Sequence, residues 1–540
     1  MSALVVMRPF AAAAFFIAAS SWGQEISRPL VRPAVKAKTA SEHTRDLAAV
    51  RPLQAWSEGD PVREKDDLRA TGPAMGTERA KQPDALLKRE NGARRAAAAV
   101  PAKIGASFAG IPSTGWVPPD AIGAVGPKHY IQMVNSAFAI YDKQGKLLAG
   151  PAEINSLWKG FGGPCEKDND GDPVARYDHL ADRWLVSQFA LDDYMQCIAI
   201  SRGPDPVSSG WYLYAFPTLD ASGKKVSSDY PKLGIWPDAY YMSTQRGFPD
   251  GGIDVWAFER EQMLAGKPAR QVQFAVGAPS IVLQPSDLNG KAPAAGTPNF
   301  FIRPMDGKRF GGDDRIEIYA FTVDWKKPAS STFKSLSRLN TTAFDSVLCS
   351  NDLNGACVPQ PNTTVKLETL SVWPMFRAQY RNFDSYETLL LNHTVNADGK
   401  GTAGIRWYEL RRENGKAWSI YQEGTYSPDE THRWMGSMAM DGAGNIALGY
   451  SVADQKTYPG LRVAIRRASA AKATFESETV VKDGGGSQTY GKSRWGDYAS
   501  MDVDPDRPCT FWYTSLYYDK TSVAGWKTWI AEIQAPSCNK

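Results

Sequence analysis

From about residue 115 the chain is written in short β-rich runs separated by Gly, Pro, Asn and Asp turns. This recurrence limits the fold more than any other feature. Asp120-Ala-Ile-Gly-Ala-Val is followed by His129-Tyr-Ile-Gln-Met-Val, Phe138-Ala-Ile-Tyr-Asp142, a Lys143-Gln-Gly145 turn and Lys146-Leu-Leu148. Looser copies of this plan begin at Asp172, Asp229, Asn299, Ala378, Gly436 and Tyr498. Each unit runs from small and apolar residues to an aromatic outer run. Long amphipathic helices are absent, and only Glu259–Leu264 reads as a short helical turn. The expected fold is an all-β propeller, seven-bladed by this count, with six or eight blades also open. At about 63 residues per unit, long loops must connect the strands. A pair of β-sandwiches is the competing all-β arrangement.

The N-terminus has a different character. Residues 1–23 read as an export signal, with Arg8 ahead of the apolar run Phe10–Ala19 and small residues before Gln24. That run is too short to span a bilayer. Residues 24–100 hold 15 Lys/Arg and 11 Asp/Glu but one aromatic, Trp56, and no Cys. Such a composition predicts a disordered linker or propeptide, with Arg94-Arg95 as a place for a protease to cut. The expected body is therefore 101–540. It keeps 46 basic and 47 acidic residues, without the basic stripe of a nucleic-acid binder.

All six cysteines fall in this body, an even number that argues for disulfides in an exported chain. Nearest-neighbour pairing gives Cys165–Cys197, Cys349–Cys357 and Cys509–Cys538, one of fifteen connectivities. The expectation is a secreted, extracellular or periplasmic monomer with no transmembrane segment in the mature chain.

Two long motifs resemble those of an uncharacterised family of exported bacterial β-propeller proteins. One is Asn169-Asp-Gly-Asp-Pro173 with Tyr177-Asp178, Ala181-Asp-Arg-Trp184 and Ser187-Gln-Phe189. The other is Arg494-Trp-Gly-Asp-Tyr498 with Met501, Asp504-Pro505 and Cys509-Thr-Phe-Trp-Tyr-Thr514. Asp229-Tyr-Pro-Lys-Leu-Gly-Ile-Trp-Pro-Asp238 is similar too. The resemblance implies a secreted propeller and no particular activity. The repeated Ser-x-Asp-x-Gly-x-x-Trp boxes of sialidases are missing.

Residues that enter the inner strands of a propeller converge on its axis. Here those positions carry Asp120, Asp172, Asp229, His432-Arg433-Trp434 and Arg494-Trp495-Gly496-Asp497. Two or three carboxylates around an axial pocket can serve as acid, base or nucleophile at a glycosidic bond. Trp434 and Trp495 would offer flat faces to sugar rings, and Arg433 and Arg494 would grip an anionic group. His432 with Tyr498 or Tyr426 would suit a polysaccharide lyase. Each aspartate can equally be a turn cap, and each Arg-Trp pair a packed junction.

Asp168, Asp170 and Asp172 space their oxygens at i, i+2 and i+4 in a way that suits calcium, without the closing glutamate of an EF-hand. Nucleophile elbows, zinc-protease helices and phosphate or dinucleotide loops are absent. The functional expectation is a secreted propeller acting on extracellular polysaccharide, a glycoside hydrolase before a lyase. A non-catalytic, lectin-like or adhesive propeller that binds a glycan or protein ligand is the alternative.

Overall fold

The computed structural model describes residues 101–536, interrupted at 221–222, 247–250, 278–280, 350–355, 414 and 477. It also describes 26–33, 36–38, 47, 50, 52–64 and 81–87. The export signal, His43, the Arg94-Arg95 site and Cys538 lie outside the described residues.

The alternating runs fold as antiparallel hairpins, and each hairpin series makes a four-stranded unit. Among the described residues there are seven such units. Their inner strands are Ile122–Val125, Val174–Asp178, Ser228–Ile235, Gln284–Gly290, Ala378–Asn382, His432–Met440 and Ser500–Val503. Each inner strand neighbours the next, and the last neighbours the first, so the units close a ring about one axis. The protein is a β-propeller. Helix is confined to short turns such as Arg260–Leu264, close to the turn expected from the sequence.

Two strands depart from the simple plan. Gln284–Gly290 carries Pro285, Ser286, Asp287 and Asn289, a polar composition that conceals a strand. It pairs in parallel with Ala378–Asn382, fusing two units into one eight-stranded sheet. The second departure is at the closure. Lys103–Pro112, near the start of the body, pairs antiparallel with Lys527–Gln534 and becomes the outer strand of the seventh unit. Ring closure therefore joins the two ends of the body by main-chain hydrogen bonds.

The described stretches of 26–87 depart from the disorder that their composition predicts. Leu30–Pro33 adds to the edge strand Arg270–Val276, and Lys36–Lys38 adds to Trp211–Pro217. Leu47 and Val50 are buried against the body, and Arg63–Glu64 pairs with Trp116–Val117. Asp84 receives both ion-pairing contacts of the buried Arg406 Nη1 at 3.0 Å. A segment too polar to build its own core can still gain order by completing the open edges of existing sheets.

Disulfides Cys165–Cys197 and Cys349–Cys357 are formed as expected. Cys509 is also disulfide-bonded. No helix among the described residues is long and apolar enough to cross a membrane.

The axis itself is filled by charge. Arg176 of the second unit bonds Asp287 of the fourth at 2.6 Å and Asp502 of the seventh at 3.1 Å. Arg377, at the entrance to the fifth, also pairs with Asp287 and reaches Asp502 at 3.3 Å. All four are buried. Removing one partner of such a group leaves an uncompensated buried charge, a loss of about 3–5 kcal/mol. Arg176→Met is expected to lower unfolding free energy by about that amount in urea titration, and Asp502→Asn in the same chain to recover part of it. Additive losses in the double variant would show that the two side chains are not coupled.

Candidate functional site

Five inner strands carry a residue with left-handed backbone just before or within their opening residues: Asp120 (φ 49°), Asp172 (47°) and Asp497 (54°) ahead of the strand, and Tyr230 (57°) and Met435 (51°) at a register shift inside it. Aspartate tolerates this region better than most residues, whereas Tyr and Met enter it at a cost of roughly 1–2 kcal/mol. The repeated kink turns the incoming chain at equivalent places around the ring. At four of these entries it gathers polar side chains from the first, second, third and seventh units.

The gathered groups are joined by hydrogen bonds. Asn135 Nδ2 donates to Asp120 Oδ2 at 2.8 Å, while Asn135 Oδ1 accepts from the Asp172 amide at 2.8 Å. The Tyr230 amide donates to Asp172 Oδ2 at 3.0 Å and to Asp229 Oδ1 at 2.8 Å. The Tyr230 hydroxyl donates to the Asp497 carbonyl at 3.2 Å, and Arg494 Nη2 donates to Asp497 Oδ2 at 3.1 Å. Arg494 also pairs with Glu368 at 3.0 Å. Lys232 Nζ lies 3.1 Å from the centre of the Tyr230 ring and 3.6 Å from that of Tyr498, a cation held between two aromatic faces.

Asp120, Asp172, Asp229, Asp497, Arg494 and Tyr498, all anticipated from the sequence, thus fall in one group. Asn135, Tyr230, Lys232 and Glu368 belong to it without having been singled out. A lysine set among the apolar residues of the Tyr-Pro-Lys-Leu-Gly-Ile strand was the available signal. Glu368 lies in the long 341–377 connection and carried none.

The electrostatics separate one carboxyl from the others. Burial, then the charges of Asp497 and Asp172, push Asp120 well above the usual carboxylate range, opposed by Arg494 and the Asn135 hydrogen bond. Burial first, then Asp172 and Asp120, likewise push the Tyr498 phenol well up.

The other anticipated residues are placed differently. His432 lies between the fifth and sixth units, where its Nδ1 accepts from the Ala403 amide at 3.2 Å. Burial pulls its pKa down to about 4, and its charged neighbours, Asp398, Asp454, Arg433 and Lys366, are outside the axial group. Arg433 is committed to Asp429 and Glu478, each at 2.8 Å. Trp434 and Trp495 have no open face for a sugar, being 0% exposed and packed 5.7 Å apart. Tyr426 is buried against Tyr450 and Phe475. The Arg-Trp pairs seal unit junctions, which in sequence look the same as ligand platforms.

The Asp168–Asp172 run is divided. Asp170 Oδ2 accepts from the Leu191 amide at 2.6 Å, and Asp172 turns to Tyr230. Burial and the neighbouring acids raise Asp168 to about 6. Among the described residues no three His, Cys, Asp or Glu side chains stand together as a metal-binding group.

The carboxylate group is enclosed. Asp120 is 1% exposed, Asp172 3%, Asp497 6% and Asp229 7%. Residues 368–376 of the connection before the fifth inner strand pack over this end of the axis, with Leu370, Trp373 and Phe376 buried in the same core and Trp373 5.8 Å from Tyr230.

No family model matches the chain, and no curated protein does. Among solved structures it is similar to a polysaccharide lyase, an ulvan lyase bound to a GlcA(1-4)Rha3S unit, at 14% identity and TM-score 0.37. That similarity covers 79% of this chain and 95% of the other. An endo-arabinase from Bacteroides thetaiotaomicron is similar at 12% identity and TM-score 0.26, covering 56% of this chain and 95% of the other. A lectin from Aleuria aurantia is similar at 9% identity and TM-score 0.31, covering 65% and 91%. None of these similarities assigns a reaction.

The environment of Asp120 makes a measurable demand on stability. In the unfolded chain its carboxyl titrates near the ordinary value of about 3.9, but folded it holds its proton to higher pH. Stability contributed at this position therefore falls as pH rises from the unfolded value through the folded one. Asp120→Asn keeps an oxygen for Asn135 and removes the ionisation. Its unfolding free energy, relative to the parent, should climb across that window; a difference independent of pH would contradict the raised carboxyl.

Proposed function

We propose that the protein is a secreted carbohydrate-active propeller, a glycoside hydrolase whose general acid is Asp120. One arrangement carries this reading: Asp120 is enclosed beside Asp172 and Asp497, where burial and then those neighbouring charges push its carboxyl well above the usual carboxylate range. A carboxyl raised in this way suits the general acid of glycosidic cleavage, which works with a second carboxylate. Asp120 delivers its proton to the leaving oxygen. Asp497, held by Arg494, is the opposite carboxylate that activates water or attacks the sugar carbon. Lys232 offsets negative charge in the same enclosure.

The enclosure favours a second reading. A binding propeller has no need of accessible carboxylates, and one whose axial group is purely structural would recognise glycans on its outer surfaces. Release of reducing ends from a panel of polysaccharides separates the two. For any polysaccharide that is cleaved, Asp120→Asn and Asp497→Asn should each reduce release about 100-fold or more, with folding retained by circular dichroism. Full turnover by both variants would remove the axial assignment. Glycan binding without release from any polymer would establish the non-catalytic reading.

A further inference from the structure

The carboxylate group occupies the end of the axis where inner strands begin. The opposite end, where they finish, holds a cavity of about 290 Å³, close to the lower limit for small-ligand sites. It is lined by Tyr177 of the second inner strand and His179 just after it, Asn289 and Gly290 of the fourth, Arg381 of the fifth and Asp502 of the seventh. Asp502 is the one member of the axial charge group that lines it.

Of the three aspartates that line this cavity, Asp506 is exposed and makes no ion pair among the described residues. Asp502 is already paired with Arg176 and Arg377. Asp504, on the same wall, is paired with Lys143 and Arg507 at 2.9 Å each. Arg381 differs. Among the described residues it makes no ion pair, and its side chain donates one long hydrogen bond, from Nη1 to the Met440 carbonyl at 3.3 Å. Burial lowers its pKa to about 10, opposed by Asp441, so the guanidinium is charged at neutral pH. The Asp441 oxygens accept instead from the Ala443 and Asn445 amides and from Asn445 Nδ2.

The cavity also preserves space and polar capacity around this cation. A Cβ built on Gly290 or on Gly442 would stand 3.1 Å from Arg381 Nη2, so any side chain at either place would crowd the guanidinium. His179 Nε2 lies 2.8 Å from the Gly290 carbonyl and must donate to it, while the buried Nδ1 has no protein partner. Asn289 spends its Oδ1 on Arg377 and Gln379, which leaves Nδ2 uncommitted among the described residues.

We propose that this end of the axis binds a small hydroxylated carboxylate, with Arg381 gripping the carboxylate and Asn289 Nδ2 donating to a hydroxyl group. A planar guanidinium matches a carboxylate with two parallel hydrogen bonds. A partly enclosed cation without an ion-pair partner gains most from such a ligand. The site is separate from the Asp120 group and stands whether or not that group is catalytic.

Calorimetric titration of the full chain at low salt with sodium glucuronate, using glucose as the neutral counterpart, tests the assignment. Glucuronate should bind and glucose should not. Arg381→Gln should weaken glucuronate roughly tenfold or more, the loss expected for a charge-assisted pair. Gly442→Ala keeps the arginine but crowds it, and should weaken binding in a chain whose axial charges are intact. Equal binding of glucose and glucuronate, no binding of glucuronate, or unchanged affinity in either variant overturns the proposal.

Discussion

Four side chains meeting across the axis hold the terms on which the rest of the molecule is built. A ring of inner strands leaves a central space that must be filled from several directions at once, and here it is filled with two arginines and two aspartates. In a low-dielectric interior each of these ions is tolerable only because both of its opposite-charge partners are in place. Blade positions around the axis are therefore mutually dependent. The same group divides the axis into two ends with different chemistry: four aspartates with Lys232 and Arg494 where strands begin, and a half-buried arginine beside open space where they finish.

Much of this was legible because a propeller repeats its plan. The small-to-aromatic progression marked six inner strands or their surroundings, and the entry rule brought Asp120, Asp172, Asp229 and Asp497 to one place. The fourth inner strand was missed because its side chains serve the axis: Asp287 and Asn289 bond arginines, so hydrophobic alternation is absent where the strand is most buried. Lys103–Pro112 was missed for a different reason, since its partner lies at the other end of the chain and no local pattern announces a long-range pair.

The misplaced residues share a cause. Trp434, Trp495 and Arg433 have the composition of a ligand platform, but composition does not tell a face turned to solvent from one turned to a neighbouring unit. His432 follows the same logic: its strand begins early, at His432 paired with Ala453, and this carries the ring away from the other entries. Glu368 became visible only through the fold, because a long connection returns to the axis and places a carboxylate on Arg494. The described stretches Leu30–Pro33 and Lys36–Lys38 show the reverse case, where a polar composition conceals order that is supplied by the edges of other sheets.

Closure of the ring by Lys103–Pro112 sets an order of events. Thr528 bonds the carbonyl of Ile111 across 417 residues of chain. A polypeptide made or threaded through a membrane from its N-terminus presents this strand first and its partner last. Throughout that interval the strand is an unpaired edge, open to pairing with other chains. The final unit is thus a lock that only the complete chain can shut, and a chain truncated near its C-terminus would keep the edge open for good.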